Sequence, residues 1–155
     1  MPTFKFERED IVRDAEMDKL LQRARDIRVR TLAAFLYVTG AKVSQALRLT
    51  ANHISFDDTT IYITLTVHKP PAPGSAKSKP ELIELSIPKD SPYVDTILLP
   101  YFKKLKALKP TGKVWPWGRV KAWAKIKRLH PKGYVTPLIL RHSRLQQIAE
   151  EEDDK

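Results

Sequence analysis

The chain has 155 residues, a net charge of +10, no cysteine and 42% hydrophobic residues. This length suits one domain able to bury a sizeable core, and the absence of cysteine excludes disulfide frameworks and thiolate metal sites. No window holds 18 consecutive apolar residues and the first ten residues lack the apolar core of a signal peptide, so we expect a cytoplasmic protein without a membrane span.

The first part of the chain predicts three helices. Residues 7–27 have the pattern of a charged amphipathic helix, and its apolar side would hold Ile11, Val12, Met17, Leu20 and Leu21. Residues 29–40 form a more apolar helix, which Gly40 would end as a C-terminal cap. A short third helix is expected over residues 43–50.

A β-hairpin is expected next. Residues 59–67 are rich in β-branched side chains and predict a strand, and residues 81–88, in which acidic and apolar residues alternate, predict the returning strand. Between them, residues 68–80 contain four prolines and one glycine, so this segment must be a loop or a long hairpin tip.

A helix is predicted over residues 91–108. Ser91 would be its N-cap and Pro92 would occupy its first helical position, where the missing N–H costs nothing. Pro100 lies inside the same segment and should kink or break the helix.

Two helices are expected near the end of the chain, over residues 117–129 and 136–152. The second begins with Thr136 as its cap and has Pro137 in its first turn. All these elements together predict an α+β fold that is mainly α, with helices around one small antiparallel sheet.

Positive charge is concentrated in the second half. Residues 96–149 contain thirteen lysines and arginines and no acidic residue, and so basic a segment repels itself unless a polyanion lies against it. We therefore expect a nucleic-acid partner; the alternative is a lysine-coated surface that keeps the protein soluble. We assign residues 1–149 to one domain and residues 150–155 to an acidic tail.

The predicted helix 117–129 has a cationic stripe. On a helical wheel, residues spaced four, three and four apart form it: Lys121, Lys125, Arg128 and Lys132. The opposite side would hold Val120, Trp123, Ile126 and Leu129. Such a ridge can lie along a phosphate backbone, although many lysine-rich surface helices look the same.

The last helix places charge among apolar residues. Its predicted core stripe consists of Leu138, Leu145, Ile148 and Ala149, and both Arg141 and His142 lie on that stripe. Charged side chains almost never face a core unpaired. One interpretation is structural: Arg141 pairs with an internal carboxylate or caps a helix carbonyl. The other is that Arg141 and His142 together form an anion-binding pocket.

Five segments carry a resemblance to a known family. They are "TGAKVSQALRL" (39–49), "HISFDDTTIYITL" (53–65), "GSAKSKPELIELSIP" (74–88), "KVWPWGRVKAWAKIKR" (113–128) and "PLILRHS" (137–143). In this order and spacing they resemble the catalytic domain of tyrosine recombinases, the phage-integrase family. The resemblance covers residues 5–149 and implies that family's fold.

The same resemblance implies a vestigial active site. Family members use two arginines, a histidine and a lysine around the scissile phosphate and a tyrosine as the nucleophile. Arg141 and His142 match this pattern, but Lys42 stands at the first arginine position and Gln45 at the neighbouring acidic one. Leu138 replaces the first histidine of the second motif and cannot move a proton.

Two further family groups bear on activity. The hairpin lysine corresponds to Lys79 or Lys77. The family's tyrosine-bearing segment has no counterpart, since no tyrosine follows Tyr134 in this sequence. Without the nucleophile the covalent step is lost, so we expect no strand cleavage.

We therefore expect a non-cleaving protein that binds duplex DNA mainly through its backbone phosphates, associated with a nucleoid or a mobile element. The candidate contacts are Lys42, Lys69, Lys77, Lys79, Lys113, Trp117, Arg119, Lys121, Lys125, Arg128, Lys132, Arg141 and His142, and Trp115 and Trp117 would support the groove. A single asparagine and twelve prolines point to a thermophilic source.

Two alternatives remain open at the level of sequence. One is a recombinase fragment that is active only when the tyrosine is supplied in trans. The other is a module that binds RNA by shape or binds another protein. No cofactor or metal is expected, because the histidines fall in different elements without a cysteine or a close carboxylate pair.

Overall fold

The computed structural model describes residues 11–68, residue 74 and residues 80–153. In this part of the chain the helices are α1 (Asp14–Arg23), α2 (Ile27–Thr39), α3 (Val43–Leu47), α4 (Leu99–Leu108), α5 (Arg119–Lys127) and α6 (Pro137–Asp153). The strands are β1 (Ile54–Phe56), β2 (Thr60–His68) and β3 (Pro80–Pro88). This confirms the predicted mainly helical fold with one small antiparallel sheet.

The chain forms two compact units, one of Met1–Val43 with Trp117–Lys155 and one of Ser44–Pro116. The first unit contains α1, α2, α5 and α6, and the second contains the sheet and α4. None of the described helices is both long and apolar enough to cross a membrane.

Helix α2 lies at the centre of the first unit, since α1, α5 and α6 all pack against it. The side chains from Leu32 to Leu36 are fully buried, and the small Ala33 and Ala34 let neighbouring helices approach closely. Gly40 ends the helix in the left-handed conformation, with φ of 70°. The predicted glycine cap is therefore confirmed.

Helix α1 is shorter than the sequence predicted. It begins at Asp14, so Ile11 and Val12 precede it, although both are buried. The Val12 N–H donates to the Ser143 hydroxyl at 2.7 Å. This contact with α6 satisfies the Val12 amide outside a helix and explains why an apolar pair can be buried there. Residues 7–10 of the predicted helix lie outside the described residues.

The second unit is built on an antiparallel sheet in the order β1-β2-β3. Ile61, Ile63 and Leu65 alternate along β2 and are buried, as expected for a strand with one covered face. Phe102 of α4 meets Trp115 edge-on, with ring centroids 6.4 Å apart, and both rings are fully buried. Trp115 is thus a core residue of the second unit, with no exposed surface of its own.

The predicted helix over residues 91–108 is wrong at its start. Ser91 is not the N-cap; Tyr93 lies there with φ of 68°, followed by a wide π-helical turn over Val94–Leu98. Helix α4 begins only at Leu99, and Pro100 lies in its first turn. Proline has no N–H and its ring clashes with the carbonyl four residues earlier, so regular α-helical bonding begins after the wide turn.

The predicted apolar face of α6 is also wrong. Leu138 and Leu145 are each 42% exposed and Ala149 is exposed, whereas Leu140 and Ser143 are fully buried. The buried face is set by packing on α2 and by the hydrogen bond of Ser143 to the Val12 amide. Thr136 caps the helix as predicted, since its hydroxyl accepts from the Ile139 N–H at 3.3 Å.

Candidate nucleic-acid interface

Arg141 of α6 is fixed at the end of α2. One guanidinium nitrogen, Nη1, donates to the Gly40 carbonyl at 3.0 Å, and the side chain is half-buried. Capping a helix-end carbonyl is one of the two structural roles considered for Arg141 from the sequence. Lys42 follows Gly40 by two residues and is exposed. The end of α2 therefore carries cations from two elements of the first unit.

Gly40 is required at this point for a second reason besides its φ. A Cβ added there would lie 3.3 Å from Arg144 Cγ and 3.9 Å from the Arg141 carbonyl oxygen. Arg144 therefore packs against Gly40, whose carbonyl accepts the hydrogen bond from Arg141. The missing side chain allows α6 to lie close to the end of α2, which brings the Arg141 guanidinium within reach of the Gly40 carbonyl.

His142 contributes a neutral hydrogen-bonding ring. Burial lowers the pKa of its imidazole, and the adjacent Arg141 charge lowers it further. Since the ordinary histidine pKa is about 6.5, the ring is mostly uncharged at neutral pH. It can then donate one hydrogen bond and accept another, but it adds little charge to the cluster.

Leu138 stands one turn before Arg141 and His142. It is 42% exposed, so an apolar side chain without an exchangeable proton faces solvent there. Gln45, in the second unit, is half-buried. Neither side chain can act as an acid or base.

A polar network that the sequence did not reveal holds α1 against α6. The Tyr37 hydroxyl donates to Asp14 at 2.6 Å and accepts from Gln147 at 2.7 Å. Burial, together with the hydrogen bond to Asp14, raises the pKa of Tyr37. Arg13 forms a bidentate pair with Glu150 at 3.0 and 3.3 Å. The contacts made by Gln147 and Glu150 join residues more than 100 positions apart, which no local pattern signals.

The cationic stripe predicted on α5 is shorter than expected. Lys121 is exposed and Lys125 half-buried, but α5 ends at Lys127 and Arg128 is its C-cap. Lys132 lies in the following turn, where its N–H donates to the His130 ring at 3.1 Å. The predicted spacing therefore fails beyond Arg128, because the helix has already ended.

The apolar side predicted for α5 is correct only in part. Ile126 and Leu129 are buried and Trp123 is half-buried, but Val120 is 85% exposed. Ala122, which was not assigned to that side, is fully buried. Its small side chain suits the close packing of α5 on α2.

Trp117 supports two cations. Its ring is 6% exposed, and it lies 5.2 Å from the Arg28 guanidinium carbon and 4.8 Å from Lys125 Nζ, measured to the ring centroid. Both distances are typical of cation–π contacts. So deeply buried a ring offers no face for stacking on bases, and it contacts Lys125 and Arg28 instead.

The other predicted contacts belong to different parts of the chain. Arg119 is exposed at the start of α5, and Lys113 is exposed in the second unit, where it forms an isolated β-bridge with Thr50. Lys69, Lys77 and Lys79 lie outside the described residues. Among the described residues, no three histidine or carboxylate side chains are grouped as metal ligands would be.

Comparisons with known proteins gave structural matches alone. No family model and no curated protein matches the chain. The structure of XerH site-specific recombinase bound to difH substrate, a pre-cleavage complex, is similar with a TM-score of 0.65 at 13% identity, over 92% of this chain and 43% of that one. The post-cleavage complex of XerH with palindromic difH substrate is similar with a TM-score of 0.64 at 14% identity, over 93% of this chain and 43% of that one. The chain thus has a tyrosine-recombinase-like fold and spans less than half the length of those chains.

Proposed function

We propose that this protein binds duplex DNA through the backbone phosphates and does not cleave it. The observation that carries the proposal is the position of Arg141, held on the Gly40 carbonyl of a recombinase-like fold. The structures with that fold are of a recombinase bound to its DNA site. The net charge of +10 supports a polyanionic partner.

The surroundings of Arg141 favour an anion. No described carboxylate lies within ion-pair distance of it, whereas Arg13, Arg28 and Arg144 each have one. The bond to Gly40 uses one of five guanidinium N–H donors and fixes the direction of the others. A half-buried guanidinium held in this way is suited to a bidentate grip on phosphate oxygens.

Two substitutions of the family pattern support binding without cleavage. Lys42 keeps a positive charge but cannot grip two oxygens as an arginine fork does. Leu138 cannot donate or accept a proton. Loss of one donor to a reacting phosphate typically lowers a rate by about 10²–10³, and here two groups are altered.

A pool of labelled, randomised duplexes with single nicks tests both halves of this proposal. A nick next to the reacting phosphate lets the leaving strand escape, so any cleavage accumulates as a detergent-resistant protein–DNA adduct. We expect retarded complexes in native gels that dissociate completely in detergent. An adduct would refute the lack of cleavage, and the absence of any complex at low salt would refute DNA binding.

A further inference from the structure

Two cations lie against Trp117 in the first unit, and one of them is paired with a carboxylate. Arg28 and Lys125 lie against its ring, and Asp26 binds Arg28 through Nη2 at 3.1 Å and Nε at 3.3 Å. The Arg28 hydrogen bonds lower the pKa of the Asp26 carboxyl, and the charge of Lys125 lowers it further. Lys125 of α5 therefore acts electrostatically on the pair that Asp26 and Arg28 form at the start of α2.

Arg28 lies at a position where the helix dipole disfavours a cation. It is the second residue of α2, and the positive end of the helix dipole repels cations in the first turn. Its side chain is 45% exposed, Lys125 meets the same Trp117 ring, and Lys121 is exposed one turn earlier on α5. The surface thus holds adjacent positive groups, and Asp26 offsets only part of their charge.

The contact with Asp26 shows what Arg28 can bind. One edge of its guanidinium, formed by Nε and Nη2, donates to the two carboxylate oxygens of Asp26, which is also how an arginine fork meets two oxygens of a phosphate. The ring of Trp117 restricts the plane of the guanidinium, so less entropy is lost on binding than for a mobile side chain.

We propose that Arg28 and Lys125, held against Trp117, form a phosphate-binding patch that extends the DNA-binding surface from α5 onto the start of α2. This inference rests on the proposed function. In free protein Asp26 occupies the arginine fork, and a backbone phosphate of bound DNA takes its place. Arg28 was not among the residues predicted from the sequence, because α2 was considered only as an apolar helix.

Salt-dependent binding of labelled duplex DNA tests the patch with charge-matched variants. Arg28→Ala should remove one phosphate contact, making the slope of log affinity against log salt shallower by about 0.9 and weakening binding about eightfold at 0.1 M salt. Lys19→Ala removes the same charge from an exposed position of α1 and should leave the slope unchanged. Thermal melting of each variant checks that it remains folded.

Asp26→Asn should strengthen DNA binding, whereas Arg28→Ala should weaken it. Asparagine still accepts the capping hydrogen bond of α2 but releases the Arg28 fork, so DNA should bind more tightly than to Glu16→Gln, which removes one negative charge from exposed α1. Equal salt slopes for Arg28→Ala and Lys19→Ala would refute the patch but not the proposed function. Equal DNA affinities of Asp26→Asn and Glu16→Gln would do the same. Failure of the unmodified protein to bind DNA would refute the proposed function as well.

Discussion

Arg141→Ala is expected to weaken duplex DNA binding by about 10- to 150-fold. The side chain would form charge-assisted hydrogen bonds with a backbone phosphate, which contribute about 1.5–3 kcal/mol, and 1.4 kcal/mol corresponds to a factor of ten in affinity. Because the guanidinium is already held by Gly40, little ordering is required on binding. Fluorescence anisotropy with a labelled duplex at fixed salt measures the change.

Two matched variants make this result specific. Arg141→Lys keeps the charge but loses the two-pronged donor geometry, so its affinity should lie between those of the unmodified protein and Arg141→Ala. Arg23→Ala removes an exposed arginine from α1 of the same unit and should have a small effect. If Arg141→Ala binds DNA as well as Arg23→Ala does, Arg141 has only a structural role, as the cap of the Gly40 carbonyl.

Ser143→Ala is expected to lower the free energy of unfolding by about 1–3 kcal/mol. The hydroxyl is fully buried, accepts from the Val12 N–H at 2.7 Å and donates to the Ile139 carbonyl at 2.7 Å. Alanine would leave the buried Val12 donor without its acceptor, which costs the desolvation energy of that group. Urea denaturation followed by circular dichroism measures the loss.

The control for Ser143 is Ser86→Ala. Ser86 is exposed on β3, and substitutions at such positions usually change stability by less than about 0.5 kcal/mol. A loss no larger than this for Ser143→Ala would show that the Val12 amide finds another partner. The bond between the start of the chain and α6 would then contribute nothing to stability.

Elements with strong local signals were predictable from the sequence. Gly40 ends α2 because a left-handed cap favours glycine, and the β-branched run of β2 forms a strand paired with β3 as expected. The adjacent Arg141 and His142 were identified from their motif, and the structure places Arg141 on Gly40. Their role in binding phosphate stays a prediction.

Features that depend on distant contacts were not predictable. The pattern of apolar residues on α6 favoured Leu138 and Leu145 as core residues, yet the helix buries Ser143. Ser143 can be buried because its hydroxyl accepts a hydrogen bond from the Val12 amide, 131 positions away. Likewise, Trp117 was expected from the sequence to contact DNA directly, whereas its ring is buried beneath Arg28 and Lys125. Periodicity gives a preferred face, and tertiary partners decide which face is buried.

The salt dependence of duplex DNA binding by the unmodified protein is the most direct test of backbone recognition. Neutralising about six phosphates releases their counterions, so log affinity should fall against log salt with a slope of about −5. The same slope should appear on duplexes of unrelated sequence, since phosphate contacts carry no sequence information. A slope near zero, or no binding at low salt, would contradict the account.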